Sequence, residues 1–106
     1  MDEIDMDEQQ RVATFVDEHG LETPPEYRLL DLVSEVGEVA KDAAESTEYG
    51  AHPGRIDVDD DEIGDVLFAL LAIADSLDVD AGDALDRSLA KYERRMADAD
   101  TPGSGE

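Results

Sequence analysis

Residues 59–74 read DDDEIGDVLFALLAIA, with five acids among the first seven positions and an unbroken apolar run from Val66 to Ala74 behind them. A segment like this can fold only as an element whose far end is enclosed while its near end holds carboxylates at the edge of the core. The run is far short of the roughly 20 residues that span a bilayer. It has no period-two alternation, and Gly and Asp precede it, so the spacing predicts a helix from about Asp60 to Leu77 with Asp59 or Asp60 as its cap.

The rest of the chain extends the same pattern. A first helix is expected from about Asp5 to His19, with Val12, Phe15 and Val16 on one side and Gly20 as its stop. LETPP forms a stiff turn. A second helix follows from about Pro25 to Ser46, with Leu29, Leu32, Val33, Val36, Ala40 and Ala43 as the stripe expected to be buried. EYGAHPGRIDV is rich in Gly and Pro and reads as a loop. A fourth helix is expected from about Ala81 to Ala97, and residues 1–4 and 100–106 as frayed tails. Short connections between four helices give a single all-α domain over residues 1–106, a four-helix antiparallel bundle.

Charge narrows the possible partners. Thirty Asp and Glu against eight Lys and Arg leave a net charge of −22, with only 5% aromatics, yet the apolar fraction of 41% is regularly patterned, as in a folded chain. This is the composition expected of a cytoplasmic protein from a halophile, where concentrated salt screens the repulsion among surface acids. No basic face offsets −22, which argues against nucleic-acid polymers and anionic membranes. The chain has no Cys, so disulfide and thiolate chemistry are excluded, and its acidic start lacks the pattern of a signal peptide.

Within this acidity four residues form a pattern. Glu35 and Glu38 are three apart on the second helix, and Glu62 and Asp65 are three apart on the third. Residues at that spacing share a helix face about 5–6 Å apart at Cβ, so two such pairs can converge. At about 100° per residue Glu35 borders the apolar stripe, and four acids at a core edge repel unless protonated or bridged by a cation. A hard divalent ion such as Mg²⁺ answers that requirement. The bland alternative is surface charge, which does not account for two matched pairs beside apolar stripes. Two other motifs fail. Asp57-x-Asp59-x-Asp61 begins like a calcium loop but carries Glu62 where glycine is needed, and Asp75-Ser76-Leu77, an acyl-carrier-like triplet, closes a helix instead of opening one.

The two pairs, each enclosing a glycine (Gly37, Gly64), together with DEIGDVLFALLAIADSLDVD and KYERRM, resemble the all-α MazG-type nucleoside triphosphate pyrophosphohydrolases over roughly Leu29 to Met96. Ser34 departs from the pattern, standing where many members carry Glu, as do Ala72 and Leu89, where longer members often carry Asn. The resemblance implies hydrolysis of nucleoside triphosphates to a monophosphate and pyrophosphate, with removal of non-canonical nucleotides as the expected role. It implies that Glu35, Glu38, Glu62 and Asp65 are catalytic residues holding Mg²⁺, with Mn²⁺ as a possible substitute, and that Lys91, Arg94 and Arg95 meet the substrate. The alternatives are a phosphoribosyl-ATP pyrophosphohydrolase and a non-catalytic acidic helical protein that binds a partner. The apolar run from Val66 to Ala74 is more than a small monomer can cover, so a homodimer or homotetramer is expected.

Overall fold

The computed structural model describes residues 6–98, so the expected frayed tails and Asp5 lie outside the described residues. The described residues form four α-helices, α1 (Glu8–Glu18), α2 (Pro25–Ser46), α3 (Asp60–Ser76) and α4 (Ala81–Asp98), and a short 3₁₀ turn, Pro53–Arg55, within the expected loop. No strand occurs among them.

Local chemistry sets the boundaries. Asp7 caps α1: its Oδ1 accepts from the Gln10 amide at 2.8 Å, and the Gln10 Oε1 accepts from the Asp7 amide at 2.9 Å. This reciprocal box satisfies two helix-end N–H groups. The helix stops at Gly20, which takes the left-handed φ of 62° that glycine tolerates. Pro25 opens α2, where its missing N–H costs nothing. Beyond Ser46, Thr47 is buried; its hydroxyl donates to the Ala43 carbonyl at 2.7 Å and accepts from the Gly50 amide at 3.1 Å. The Ser46 hydroxyl accepts from the Asp57 amide at 2.9 Å, returning the chain towards α3. Asp59 is the N-cap of α3 without a side-chain cap bond, and Asp60, Asp61 and Glu62 occupy its first turn, where the positive end of the helix dipole favours acids.

Helix α3 is central, with α1 and α2 packed on it. Its buried residues are Ala69, Leu71, Ala72 and Ile73. Phe15 of α1 meets Phe68 edge to face at 6.1 Å. Gln9 ties α1 to the α3–α4 connection: its Nε2 donates to the Val79 carbonyl and its Oε1 accepts from the Ala81 amide, each at 2.7 Å.

One expectation about burial is corrected within this chain. The face of α2 turned to α3 carries Arg28, Leu32, Glu35, Val39, Asp42 and Ser46, all half-buried, whereas Leu29, Val33, Val36 and Ala40 of the expected stripe are exposed, Val33 by 68%. The stripe is real, but it lies beside the α3 contact. The run from Val66 to Ala74 is likewise only partly enclosed, since Leu67 and Leu70 stay exposed. Helix α4 repeats this arrangement. Ala81, Ala84, Ser88, Lys91 and Arg95 are half-buried along one face, while Leu85, Leu89, Tyr92 and Met96 form an exposed apolar seam.

Candidate active site

Helices α2 and α3 run antiparallel, and four meetings fix their register. Ser46 meets Asp57; Glu38 lies within repulsive range of Glu62; Glu35 and Asp65 line one cleft of about 250 Å³; and Arg28 lies over Phe68. As the residue number rises along α2 it falls along α3. Glu35 and Asp65 therefore share one cleft, while Glu62 shares a hydrogen bond with Asp42 of α2 and feels Glu38 as the weakest of its acidic neighbours. The cleft holding Glu35 and Asp65 is also lined by Arg28, Asp31, Phe68 and Ala69.

The second pair has the sharper electrostatics. The Glu62 carboxyl is pushed up from its ordinary 4.5 to about 7, first by a hydrogen bond shared with Asp42, then by burial, then by repulsion from Asp42, Asp59 and Glu38. A hydrogen bond between two carboxyl groups requires one proton. The other Glu62 oxygen, Oε1, is buried and has no hydrogen-bonding partner among the described residues. Such an oxygen is costly to bury unless something is brought to it.

The donor set is all carboxylate oxygen, which suits a hard cation. Among the described residues no three His, Asp or Glu side chains stand close enough to hold one ion together. For Mg²⁺ this is no obstacle, because that ion keeps several waters and takes one or two carboxylates plus substrate phosphates in place of an all-protein cage.

Lys91, Arg94 and Arg95 are not brought to this seam. None of them lines the Glu35–Asp65 cleft, and among the described residues no ion pair joins them to its acids. The structure does separate them: Lys91 and Arg95 are half-buried, whereas Arg94 is exposed, and the Lys91 Nζ lies 5.2 Å from the Tyr92 ring centroid. His52 and Arg55 both pair with Glu48, at 3.5 and 3.3 Å, which accounts for them locally. Asp42 was missed by sequence reasoning. It lies four residues beyond Glu38, and that spacing was its available signal.

A pH dependence follows. Folded Glu62 holds its proton to about pH 7 while the unfolded chain releases it near 4.5, so the native state binds more protons between those values and this group's contribution to stability falls as pH rises through them. Glu62→Gln cannot ionise. In the presence of chelator its melting temperature should match wild type at about pH 5 and exceed it at about pH 8. A difference that does not change with pH would show that Glu62 holds no extra proton in the fold.

Comparison with known proteins agrees with the arrangement. Residues 24–99 match the MazG nucleotide pyrophosphohydrolase domain, a segment that contains α2, α3, α4 and both carboxylate pairs. A curated relative, the uncharacterized protein YpjD of Bacillus subtilis (strain 168), is 39% identical over 71 residues, which cover 63% of this chain and 62% of the relative. The matched stretch thus spans less than two thirds of that relative's length. No solved structure matches the chain. Because the match covers residues 24–99, more than half of the sequence, the chain belongs to the MazG nucleotide pyrophosphohydrolase family.

Proposed function

We propose that this protein hydrolyses nucleoside triphosphates between the α and β phosphates, giving a nucleoside monophosphate and pyrophosphate, and that it removes non-canonical nucleotides from the cytoplasmic pool. The observation that carries the reading is the carboxylate seam, with Glu35 and Asp65 lining one cleft, Glu62 hydrogen-bonded to Asp42 and within repulsive range of Glu38, and the Glu62 Oε1 buried without a partner among the described residues. Glu35, Glu38, Glu62 and Asp65 are the residues that would hold Mg²⁺, with Mn²⁺ as a substitute. When bound, Mg²⁺ supplies neutralisation of the triphosphate charge and acidification of a water. Glu62 would give up its proton to accept the cation, and Asp42, sharing that proton, would orient the Glu62 carboxylate across the seam. Lys91 and Arg95, on the half-buried face of α4, would meet phosphate oxygens, with Arg94 contributing less.

The open apolar faces support assembly. Leu29, Val33 and Val36 on α2, and Leu85, Leu89, Tyr92 and Met96 on α4, are exposed at helical spacing, and a second copy of the chain would cover them in a homodimer or homotetramer with closed symmetry. At −22 per chain, subunits repel in dilute buffer and associate when salt screens them.

Three outcomes are expected. In molar KCl with Mg²⁺, product chromatography over a panel of nucleoside triphosphates and phosphoribosyl-ATP should show monophosphate and pyrophosphate, and chelation should abolish turnover. Glu38→Gln should lower activity by about a hundredfold or more without unfolding the chain, since it removes an anionic ligand while keeping its shape. Orthophosphate as the product, or a fully active Glu38→Gln, would end this reading. Lys91→Ala and Arg95→Ala should each lower kcat/KM by about tenfold, and Arg94→Ala by less, because a charge-assisted contact is worth roughly 1.5–3 kcal/mol. Unchanged kinetics with a lower melting temperature would assign those residues to helix stability. Light scattering should report an oligomer at high salt that dissociates as salt is lowered, and Val33→Asp should give a monomer throughout; a compact wild-type monomer at high salt would contradict the assembly.

A further inference from the structure

The α2 face that carries Glu35, Glu38 and Asp42 continues towards the helix start through Asp31 to Arg28, so that Arg28, Asp31, Glu35, Glu38 and Asp42 follow one another at alternating steps of three and four. Seven residues are almost two full turns, which returns Arg28 to the angular position of Glu35 about 10 Å along the axis. The cleft of about 250 Å³ that holds Glu35 and Asp65 also reaches Arg28. Arg28 is the only basic side chain among the residues lining it.

Arg28 is held from two sides. Its guanidinium carbon lies 5.7 Å from the centroid of the Phe68 ring, and its Nη2 donates to the Leu21 carbonyl at 2.6 Å. Phe68 is itself fixed edge to face by Phe15. Those contacts occupy one face and one N–H direction of a planar group with five N–H donors. Among the described residues no ion pair joins Arg28 to Asp31, Glu35 or Asp65, although all four line the same cleft. A half-buried guanidinium pre-oriented in a carboxylate cleft, and not consumed by those carboxylates, is suited to an anion that enters alongside the cation they bind.

We propose that Arg28 is a substrate-binding residue whose remaining N–H donors contact phosphate oxygens of the nucleotide in the cleft that it shares with Glu35 and Asp65. This rests on the pyrophosphohydrolase reading above. Arg28 thereby supplies from α2 itself a phosphate contact in addition to those proposed for Lys91 and Arg95 on α4. A lysine would keep the charge but lose the planar fork and its seat on Phe68.

The test uses Arg28→Gln, which keeps much of the stem and an N–H donor for the Leu21 carbonyl, beside Arg28→Lys and wild type. Calorimetric titration with inorganic pyrophosphate in the presence of Mg²⁺ should show affinity lowered by about tenfold in Arg28→Gln and partly restored in Arg28→Lys, with titration by Mg²⁺ alone unchanged. KM for nucleoside triphosphate should rise in parallel. Unchanged pyrophosphate affinity and KM with a lower melting temperature would make Arg28 a brace for the α1–α2 turn and overturn the proposal while leaving the enzyme reading intact. Weaker binding of a nucleoside with pyrophosphate binding unaffected would place Arg28 against base or sugar and also overturn it. A wild-type protein that neither hydrolyses triphosphates nor binds pyrophosphate would remove both readings together.

Discussion

Repulsion among carboxylates along the α2–α3 seam is the constraint on which the rest of the structure depends. Two helices that pack in register must place something at each crossing, and here the crossings near the α3 N-terminus carry Glu38, Asp42, Asp59 and Glu62. The fold accommodates them by keeping a proton on Glu62 and sharing it with Asp42. The other Glu62 oxygen, Oε1, stays buried without a hydrogen-bond partner among the described residues. The opposite end of α3, through Ala69, Leu71, Ala72 and Ile73, supplies the apolar packing that holds the acids together despite their repulsion.

Much of this was legible in the sequence because it depends on helical periodicity alone. The bounds of α2 agree with Pro25–Ser46, and those of α3 and α4 differ by one residue at the C-terminal end. The two carboxylate pairs were legible because spacings of three on two successive helices allow only a shared face. What spacing could not settle was which of two adjacent α2 faces meets α3. An apolar stripe through Leu29, Val33 and Val36 is the natural choice for the inner face, but the chain turns Arg28, Leu32, Glu35 and Val39 inward. Asp42 and Arg28 were missed because one acid among thirty and one arginine far from the basic motif have no weight until the register places them on the Glu35 face.

The two-faced character of α2 recurs on α4, and the recurrence links site and surface. On both helices charged or polar groups with a chemical use are half-buried and large apolar side chains are exposed. In a monomer built for stability alone the order would be reversed, since burying an isoleucine- or leucine-sized side chain contributes about 1.5–3 kcal/mol. Exposed apolar rows of this kind on two helices suit a subunit better than an independent domain.

The glycines within the two motifs bear on the same point. Gly37 and Gly64 are helical, take ordinary helical backbone angles, and have nothing within 4 Å of where a Cβ would stand. Neither is needed for a turn or for a close approach inside the chain, and a glycine in a helix interior costs about 1 kcal/mol relative to alanine. Within a single chain, then, both positions destabilise their helices with no compensating contact. Gly37 lies between Glu35 and Glu38 on α2 and Gly64 between Glu62 and Asp65 on α3, so at both places the bare backbone lies between two carboxylates and meets nothing within this chain that a Cβ would displace.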